Sequence, residues 1–351
     1  MITQAELLPQ ARCRLVSTEI TPFYHVVSRC VRRHFLCGVD PLTGKDYSDR
    51  KRAIQVRLAH LAETFAINVC AYAILSNHYH LVVHIDEQIA QGWSERDVAK
   101  RWLRLFTGPP LVRAFVNGQE LGEAQRLAVD NHLREYRKRL CSLSWFMKCL
   151  NEPIARDANA EDGVTGHFWQ SRFSSQALLD EAAVLTAMAY VDLNPIRAGI
   201  ADTPEGSDFT SIQQRIEQWR ASTAQQPHQI PKVPTESLEK AVVRLMPFSE
   251  AYESSETPTI PHTANDYLDL VDWSGRAISP GKRGAIPADL PPILERLHMR
   301  PEKYLDYVGK RQRAFSNVLG AVERIKDCAA HFGKTFLKGQ TAAATLFSPG
   351  A

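Results

Sequence analysis

The chain has 351 residues, enough for one large domain or two of ordinary size. Hydrophobic residues make up 44% and charged residues 23%, both usual for a globular protein with a buried core. No apolar run approaches the ~20 residues needed to cross a bilayer, which argues against a membrane protein. The formal net charge of +3 is too small for charge alone to indicate a nucleic-acid partner.

The seven cysteines and the amino-terminal segment bear on the compartment. The cysteines are scattered and form no C-x-x-C pair, which argues against a disulfide framework and against a cysteine zinc site. The first residues contain no basic segment followed by an apolar one, so no secretory signal is predicted. We therefore expect a cytoplasmic protein.

Taken in chain order, the first half alternates strand and helix patterns. "TPFYHVVSRCV" is rich in β-branched and aromatic residues and predicts a strand, whereas "SDRKRAIQVRLAHLAETFA" has apolar residues at helical spacing and a Ser48 cap. "INVCAYAIL" and "YHLVVHI" flank "SNH" and predict a hairpin. Three helical segments follow, from residue 94 to about residue 159, and "GHFWQSRFSSQALL" favours a strand. "DEAAVLTAMAYVDLNP" predicts a helix with acidic residues at its start and proline at its end.

The composition changes near residue 220. The alternating strand and helix patterns end there, which predicts a first domain over 1–219. Proline, glutamine, serine and threonine crowd out apolar periodicity over 220–265, which predicts a linker. Residues 266–351 predict a mainly helical extension whose role the sequence does not indicate.

The first candidate functional motif is the histidine-containing stretch "SNHYHLVVHI". On a strand, His78, His80 and His84 share one face, which the apolar opposite face predicts to be the exposed side of the sheet. The first two histidines lie ~6–7 Å apart at their Cα atoms, close enough for both imidazoles to bind one divalent ion. His84 lies about 13 Å further along and is expected to be a bystander. The alternative is a strand whose histidines are simply solvated, because an isolated H-x-H is a weak motif.

A second motif supplies a third ligand and a nucleophile. In "AMAYVDLNPIRAGI", Tyr190 and Asn194 are four residues apart and would project from one helix face. The Asn194 amide oxygen could complete a metal shell, and the Tyr190 hydroxyl could attack a phosphodiester.

Three motifs in this order, "SNHYHLVV", "GHFWQSRF" and "YVDLNPIRAG", resemble the single-tyrosine HUH transposases, and more closely their REP-associated branch. The resemblance covers Thr21 to Ala201. It implies an α+β HUH fold, an antiparallel sheet with packed helices that carries the histidines on a central strand. It also implies Mg²⁺ or Mn²⁺ bound by His78, His80 and Asn194, and Tyr190 as the nucleophile.

The resemblance also implies that the chain cleaves and rejoins single-stranded or hairpin DNA through a 5′-phosphotyrosine link, as a monomer or a homodimer. One departure is Tyr79, an aromatic residue between the two histidines, which alternation points away from the metal. The region after residue 220 extends beyond the family's minimal fold, so no function is carried onto it.

Several basic or polar residues are expected to contact DNA. Clustered Arg and Lys with nearby aromatic residues suit a DNA backbone, although each also fits an ordinary solvated surface. His25 is expected to be a hydrogen-bonded structural histidine rather than a metal neighbour, and Phe168 and Trp169 are expected in the core. The predicted DNA contacts are Arg29, Arg33, Arg134, Arg137, Lys138, Gln170, Arg172 and Arg197.

Three hypotheses remain open at this point. The first is a metal-dependent tyrosine transposase and single-strand endonuclease. The second is a host-adapted, sequence-specific DNA-binding protein that keeps the fold and does not cleave. The third is an unrelated metal hydrolase with water as its nucleophile, for which Tyr190 would be dispensable.

Overall fold

The structure is a computed structural model that describes residues 16–31, 44, 46–224, 242–249, 258–278, 292–309 and 317–347. Arg33 and much of the predicted linker over 220–265 lie outside the described residues.

Within the described residues, five strands form one sheet in the spatial order β2-β3-β1-β4-β5. Neighbouring strands are antiparallel except for β4 and β5, which are parallel. The strands are β1 (Phe23–Arg29), β2 (Ile67–Ile74), β3 (His78–Ile85), β4 (Ser174–Leu178) and β5 (Val318–Leu319). The predicted hairpin is confirmed as β2 and β3, and β3, which carries the histidines, has a partner on each side.

Helices follow or separate these strands, so the α+β class is confirmed. The helices before β4 are α1 (Asp49–Thr64), α2 (Glu87–Gly92), α3 (Glu95–Leu103), α4 (Pro110–Val116), α5 (Glu123–Leu140) and α6 (Leu143–Glu161). The helices after β4 are α7 (Glu181–Asp192), α8 (Asn194–Arg197), α9 (Ser211–Ala224), α10 (Ala264–Ile278), α11 (Pro292–Arg296), α12 (Pro301–Gly309), α13 (Val322–His331) and α14 (Gln340–Leu346). In the described ranges, no helix has both the length and the apolar character that a membrane span requires.

The two faces of the sheet pack against different helices. Helices α1 and α6 contact each other, and on their side of the sheet Asn151 of α6 bonds to Ser28 of β1 and accepts a hydrogen bond from Tyr79 of β3. Helix α7 crosses the opposite face, where it contacts β2, β3 and β4. The histidines of β3 point to this second face, and Tyr190 of α7 contacts the ring of His80.

Helix α7 is fixed at its start by Asp180. One carboxylate oxygen of Asp180 accepts a hydrogen bond from the backbone amide of Ala183 at 2.8 Å, which caps the helix. The other oxygen accepts from the amide of Ala321 at 2.7 Å, just beyond β5. In contrast, Ser48 makes no side-chain cap bond at the start of α1, although the helix forms where the apolar spacing predicts it.

The region after residue 264 packs onto the same core. Helices α10 and α12 contact α7, and β5 pairs with β4 at the edge of the sheet. The segments that follow the predicted linker therefore add both a strand and a helical layer around α7.

Candidate active site

The histidines of β3 lie on a covered face of the sheet. His80 is 1% exposed, so the expectation of an exposed face is wrong at this position. The reason is the composition of α7, whose small and apolar residues are buried along its whole length and let it lie close against the sheet. Strand alternation correctly placed the three histidines on one face, but it contains no information about which helix covers that face.

His78 and His80 lie side by side, with ring centroids 4.9 Å apart. The Nδ1 atom of each ring is engaged by a neighbour: His78 Nδ1 lies 2.5 Å from the Asn77 side-chain oxygen, and His80 Nδ1 lies 2.9 Å from His25 Nε2. Both contacts leave Nε2 as the ring nitrogen of each histidine that can bind a ligand.

His84 lies apart from this pair. Its Nδ1 atom lies 3.3 Å from the side-chain amide of Asn68, and its ring packs against Phe23 with centroids 4.7 Å apart. Burial lowers the pKa of His84 below the ordinary histidine value. These contacts account for His84 without a ligand, in keeping with the bystander role expected for it.

Tyr190 reaches the histidines from α7. Its ring meets His80 edge-on, with centroids 5.7 Å apart, and the Arg197 guanidinium lies 4.2 Å from the centre of the tyrosine ring. The Tyr190 hydroxyl is buried and has no hydrogen-bond partner among the described residues. A ring of α12, that of Tyr307, packs against Tyr190 with centroids 6.0 Å apart. A buried phenol of this kind is costly unless something that binds here satisfies it.

Asn194 is buried and bonds to Arg197, which lies over the Tyr190 ring, but it is not on the same helix as Tyr190. Helix α7 ends at Asp192, and Asn194 begins the short helix α8, which corrects the expectation of one continuous helix face. The Asn194 side-chain oxygen accepts a hydrogen bond from Arg197 at 2.7 Å. Because a carbonyl oxygen has two lone pairs, this bond leaves one lone pair for another ligand.

The side chains of His78, His80 and Asn194 offer donor atoms of the kinds that bind a divalent cation. Among the described residues, no three His, Cys, Asp or Glu side chains converge as metal ligands would. Two imidazole nitrogens and an amide oxygen nevertheless suffice for a cation that keeps further sites for a phosphate and water. The amide oxygen suits both expected ions, and Mn²⁺ belongs to the first-row divalent ions that mixed nitrogen and oxygen sites bind.

Tyr79 points to the other face, as alternation predicts. The residue is fully buried, and its hydroxyl donates a hydrogen bond to Asn151 of α6. Burial raises the pKa of the Tyr79 phenol well above its ordinary value. The Tyr79 hydroxyl therefore makes a structural hydrogen bond on the face of the sheet opposite to the histidines.

The predicted DNA contacts of α5 fall into two environments. Arg134 and Lys138 are exposed on the helix surface. Arg137 instead turns inward, where its guanidinium donates to the carbonyls of Ala90 and Trp93 near the end of α2, the latter at 2.8 Å. Arg137 thus joins α5 to the end of α2 through hydrogen bonds from its charged guanidinium.

Gln170 and Arg172 are exposed and line a groove of about 790 Å³ beside α6. The Gln170 backbone amide donates a hydrogen bond to the carbonyl of Arg29. Arg29 is exposed and lies opposite His78 in the pairing of β1 with β3. The groove thus begins at the same end of the sheet as His78. Phe168 is buried, and the Trp169 indole donates to the Asn151 carbonyl at 2.9 Å, so both belong to the core as expected.

Sequence reasoning overlooked Asp192. This carboxylate is fully buried at the end of α7 and accepts hydrogen bonds from Ser211 Oγ at 2.5 Å, the Ile212 amide at 3.1 Å and Tyr267 Oη at 2.5 Å. Burial raises the pKa of Asp192 to about 6, against the opposing effect of these bonds and of buried Arg215. The sequence signal for a buried carboxylate was an acidic residue at the end of a mainly apolar helix.

Comparison with known proteins adds one structural match. No protein-family model matches the chain, and no curated protein matches it. A solved structure of a REP-associated tyrosine transposase bound to a REP hairpin matches 56% of this chain and 81% of its own, with 10% sequence identity and a TM-score of 0.34. A TM-score of this size does not establish a common fold, so the functional assignment has to rest on the site itself.

Proposed function

We propose that the protein is a transposase-like enzyme that cleaves and rejoins single-stranded DNA, with Tyr190 as its nucleophile. One observation carries this proposal: α7 brings the Tyr190 ring against His80, and Arg197 lies over the same ring. A tyrosine can form a covalent link to phosphorus, and an arginine or a cation bound by an imidazole pair can stabilise the charge that develops on the phosphate. The order of the three sequence motifs is consistent with the same chemistry.

The proposed roles follow from the chemistry of each side chain. The Tyr190 oxygen attacks the phosphorus, the bond to the 3′-oxygen breaks, and the electron pair of that bond stays on the 3′-oxygen. The phenol loses a proton and the 3′-oxygen gains one, which leaves a 5′-phosphotyrosine and a free 3′-OH. Rejoining reverses the step with an incoming 3′-OH.

His78 and His80, with the Asn194 side-chain oxygen, would hold Mn²⁺ or Mg²⁺. When bound, the cation supplies Lewis-acid polarisation of a phosphate oxygen. Arg197 lies within reach of the same region and would add positive charge for the phosphate, because its Nη1 atom is buried and has no hydrogen-bond partner among the described residues.

DNA binding by this site would use the exposed basic and polar residues around it. Arg29 and Gln170 lie at the end of the sheet next to His78, and Arg172 lines the adjoining groove. Arg134 and Lys138 offer further positive charge on α5. The proposed substrate is a single strand with a hairpin or palindrome, and an HUH fold is proposed along with it.

The test is a covalent-adduct assay with the full chain, Mn²⁺ and hairpin DNA that carries a single-stranded flank. A 5′-phosphotyrosine link keeps the 3′ portion of the strand on the protein, so a label at the 3′ end should shift with the protein in a denaturing gel. A label at the 5′ end should appear as a shorter free fragment. Tyr190→Phe should abolish the adduct, whereas Tyr79→Phe, a matched loss of one phenol on the other face of the sheet, should retain it.

A second candidate function is sequence-specific DNA binding without cleavage. The observation in its favour is the burial of Tyr190, which is 4% exposed beneath Tyr307. The same DNA decides between the two: a retarded band in a native gel with no adduct under denaturing conditions would favour the binding protein. Cleavage that survives Tyr190→Phe would indicate a hydrolase that uses water instead.

A further inference from the structure

His25 contacts the proposed metal ligand from the neighbouring strand. Strands β1 and β3 are antiparallel, with His25 opposite Val82 and Val27 opposite His80. His25 and His80 are therefore diagonal neighbours on the same face, a separation that long or aromatic side chains bridge. The two rings are nearly parallel, with centroids 5.2 Å apart and an interplanar angle of 17°.

The contact joins two specific nitrogens, His25 Nε2 and His80 Nδ1, at 2.9 Å. In a neutral imidazole one nitrogen carries the proton and the other carries the lone pair. If His80 is to bind a cation through Nε2, its proton must be on Nδ1, and that proton then points at His25. His25 must in turn present a lone pair at Nε2 and carry its own proton on Nδ1.

Burial makes this arrangement restrictive. His80 is 1% exposed and His25 is 8% exposed, so solvent does not offer a ready alternative acceptor for the Nδ1 proton. On the other ligand, His78 Nδ1 faces the Asn77 side-chain oxygen, which can only accept. Both ligand rings thus have an acceptor at Nδ1, the arrangement that orients a metal-binding imidazole and makes it a better ligand.

We infer that His25 is a positioning residue: as a hydrogen-bond acceptor it fixes the ring orientation and tautomer of His80 for metal binding. The inference rests on the proposed metal site of His78, His80 and Asn194. It assigns His25 a role beyond that of a structural histidine, because the required feature is an acceptor at one position and not merely a buried ring.

The test measures Mn²⁺ binding to the full chain by electron paramagnetic resonance, where the signal of free Mn²⁺ falls as the ion binds. His25→Gln places an amide group near the position of Nε2 and can accept from His80, whereas His25→Asn is one methylene too short. We expect His25→Asn to weaken Mn²⁺ binding by roughly 10–100-fold, the usual effect of losing such a partner. His25→Gln should retain most of the affinity.

His84→Gln serves as the control, because His84 lies on the same sheet face and its Nδ1 bonds to Asn68 instead. Thermal melting of each variant checks that it folds. Equal Mn²⁺ affinity in wild type and His25→Asn, or equal losses in the Asn and Gln variants, would overturn the role of His25 while leaving the metal site intact. Failure of the wild type itself to bind Mn²⁺ would overturn the metal site, and the inference with it.

Discussion

The buried carboxylate of Asp192 offers a quantitative test of how helix α7 is held. Three donors converge on it, from Ser211, Ile212 and Tyr267. It lies two residues after Tyr190, so the hydrogen bonds that fix its position also fix the end of the helix that carries the proposed nucleophile. The two informative changes are Asp192→Ala, which removes both acceptor oxygens, and Asp192→Asn, which removes the charge and keeps one of the two acceptor oxygens.

Asp192→Ala should lower the free energy of unfolding by about 3–5 kcal/mol. The Ser211 hydroxyl can turn to the Tyr72 carbonyl 3.1 Å away, but the Ile212 amide and the Tyr267 hydroxyl would lose the acceptor that they now share. The buried Arg215 guanidinium would also lose the charge that offsets its own burial. Asp192→Asn keeps one oxygen for the Ser211 and Ile212 donors on Oδ1 but turns an NH2 group toward the Tyr267 hydroxyl, which would have to accept instead. This change should cost about 1 kcal/mol near neutral pH.

The pH dependence of the unfolding free energy separates the effect of the Asp192 charge from the effect of its hydrogen bonds. Burial raises the pKa of Asp192 from 3.8 to about 6 in the folded protein, so the folded state keeps this proton at a higher pH than the unfolded state does. The resulting stabilisation is fully present below about pH 4 and is lost as the pH rises through about 6, the folded value. The difference between the two pKa values corresponds to about 3 kcal/mol.

The assay is urea unfolding of wild type and Asp192→Asn at several pH values between 4 and 8. All other titrating groups are common to the two proteins, so the difference between their unfolding free energies isolates Asp192. Wild type should lose about 2–3 kcal/mol relative to the Asn variant between pH 4 and pH 8, somewhat less than the full difference because the unfolded carboxyl is already partly ionised at pH 4. Parallel stability curves for the two proteins would refute the raised pKa and the energetic role drawn from it.

Four further predictions concern individual side chains. Tyr79→Phe should lower the free energy of unfolding by about 1 kcal/mol in urea titrations, because it loses the hydrogen bond to α6. Loss of the covalent protein–DNA adduct in this variant would contradict a purely structural role for Tyr79. Alanine at Arg134 or Lys138 should reduce the salt dependence of hairpin binding by about one phosphate contact each at unchanged melting temperature. Arg137→Ala should instead lower the melting temperature, because backbone carbonyls lose their donor; an unchanged melting temperature with weaker DNA binding would place it at the DNA. His84→Gln should bind Mn²⁺ like the wild type by electron paramagnetic resonance, and a tenfold loss would mean that it belongs to the metal site.

Local patterns predicted the elements around the site well. The hairpin of β2 and β3 follows from two β-rich runs around a short turn, and the helix that carries Tyr190 follows from its acidic start. Alternation along β3 also separated Tyr79 from the histidines correctly. Each of these features depends on residues close together in the chain, where periodicity is informative.

The features that periodicity missed depend on contacts between distant segments. The bond between His25 and His80 requires the register of β1 against β3, which neither strand reveals alone. The inward turn of Arg137 depends on where α2 ends, and a cluster of basic residues on one helix does not indicate which member is buried. Asn194 lies outside the helix that was predicted to carry it, because α7 ends at Asp192. The Asp192 side chain is held there by residues from α9 and α10.

The surroundings of Tyr190 show why the carboxy-terminal segments belong in any test of the site. The motif resemblance ends at Ala201, yet Tyr307 packs on the Tyr190 ring and Tyr267 donates to the carboxylate at the end of the same helix. A chain cut after Ala201 would lose both contacts, and Asp192 would lose all three of its donors, Ser211, Ile212 and Tyr267. Loss of activity in such a fragment would therefore report on the packing of α7 as much as on the chemistry of Tyr190. Substitutions in the full chain, where Tyr190→Phe removes a single oxygen and leaves this packing in place, separate the two.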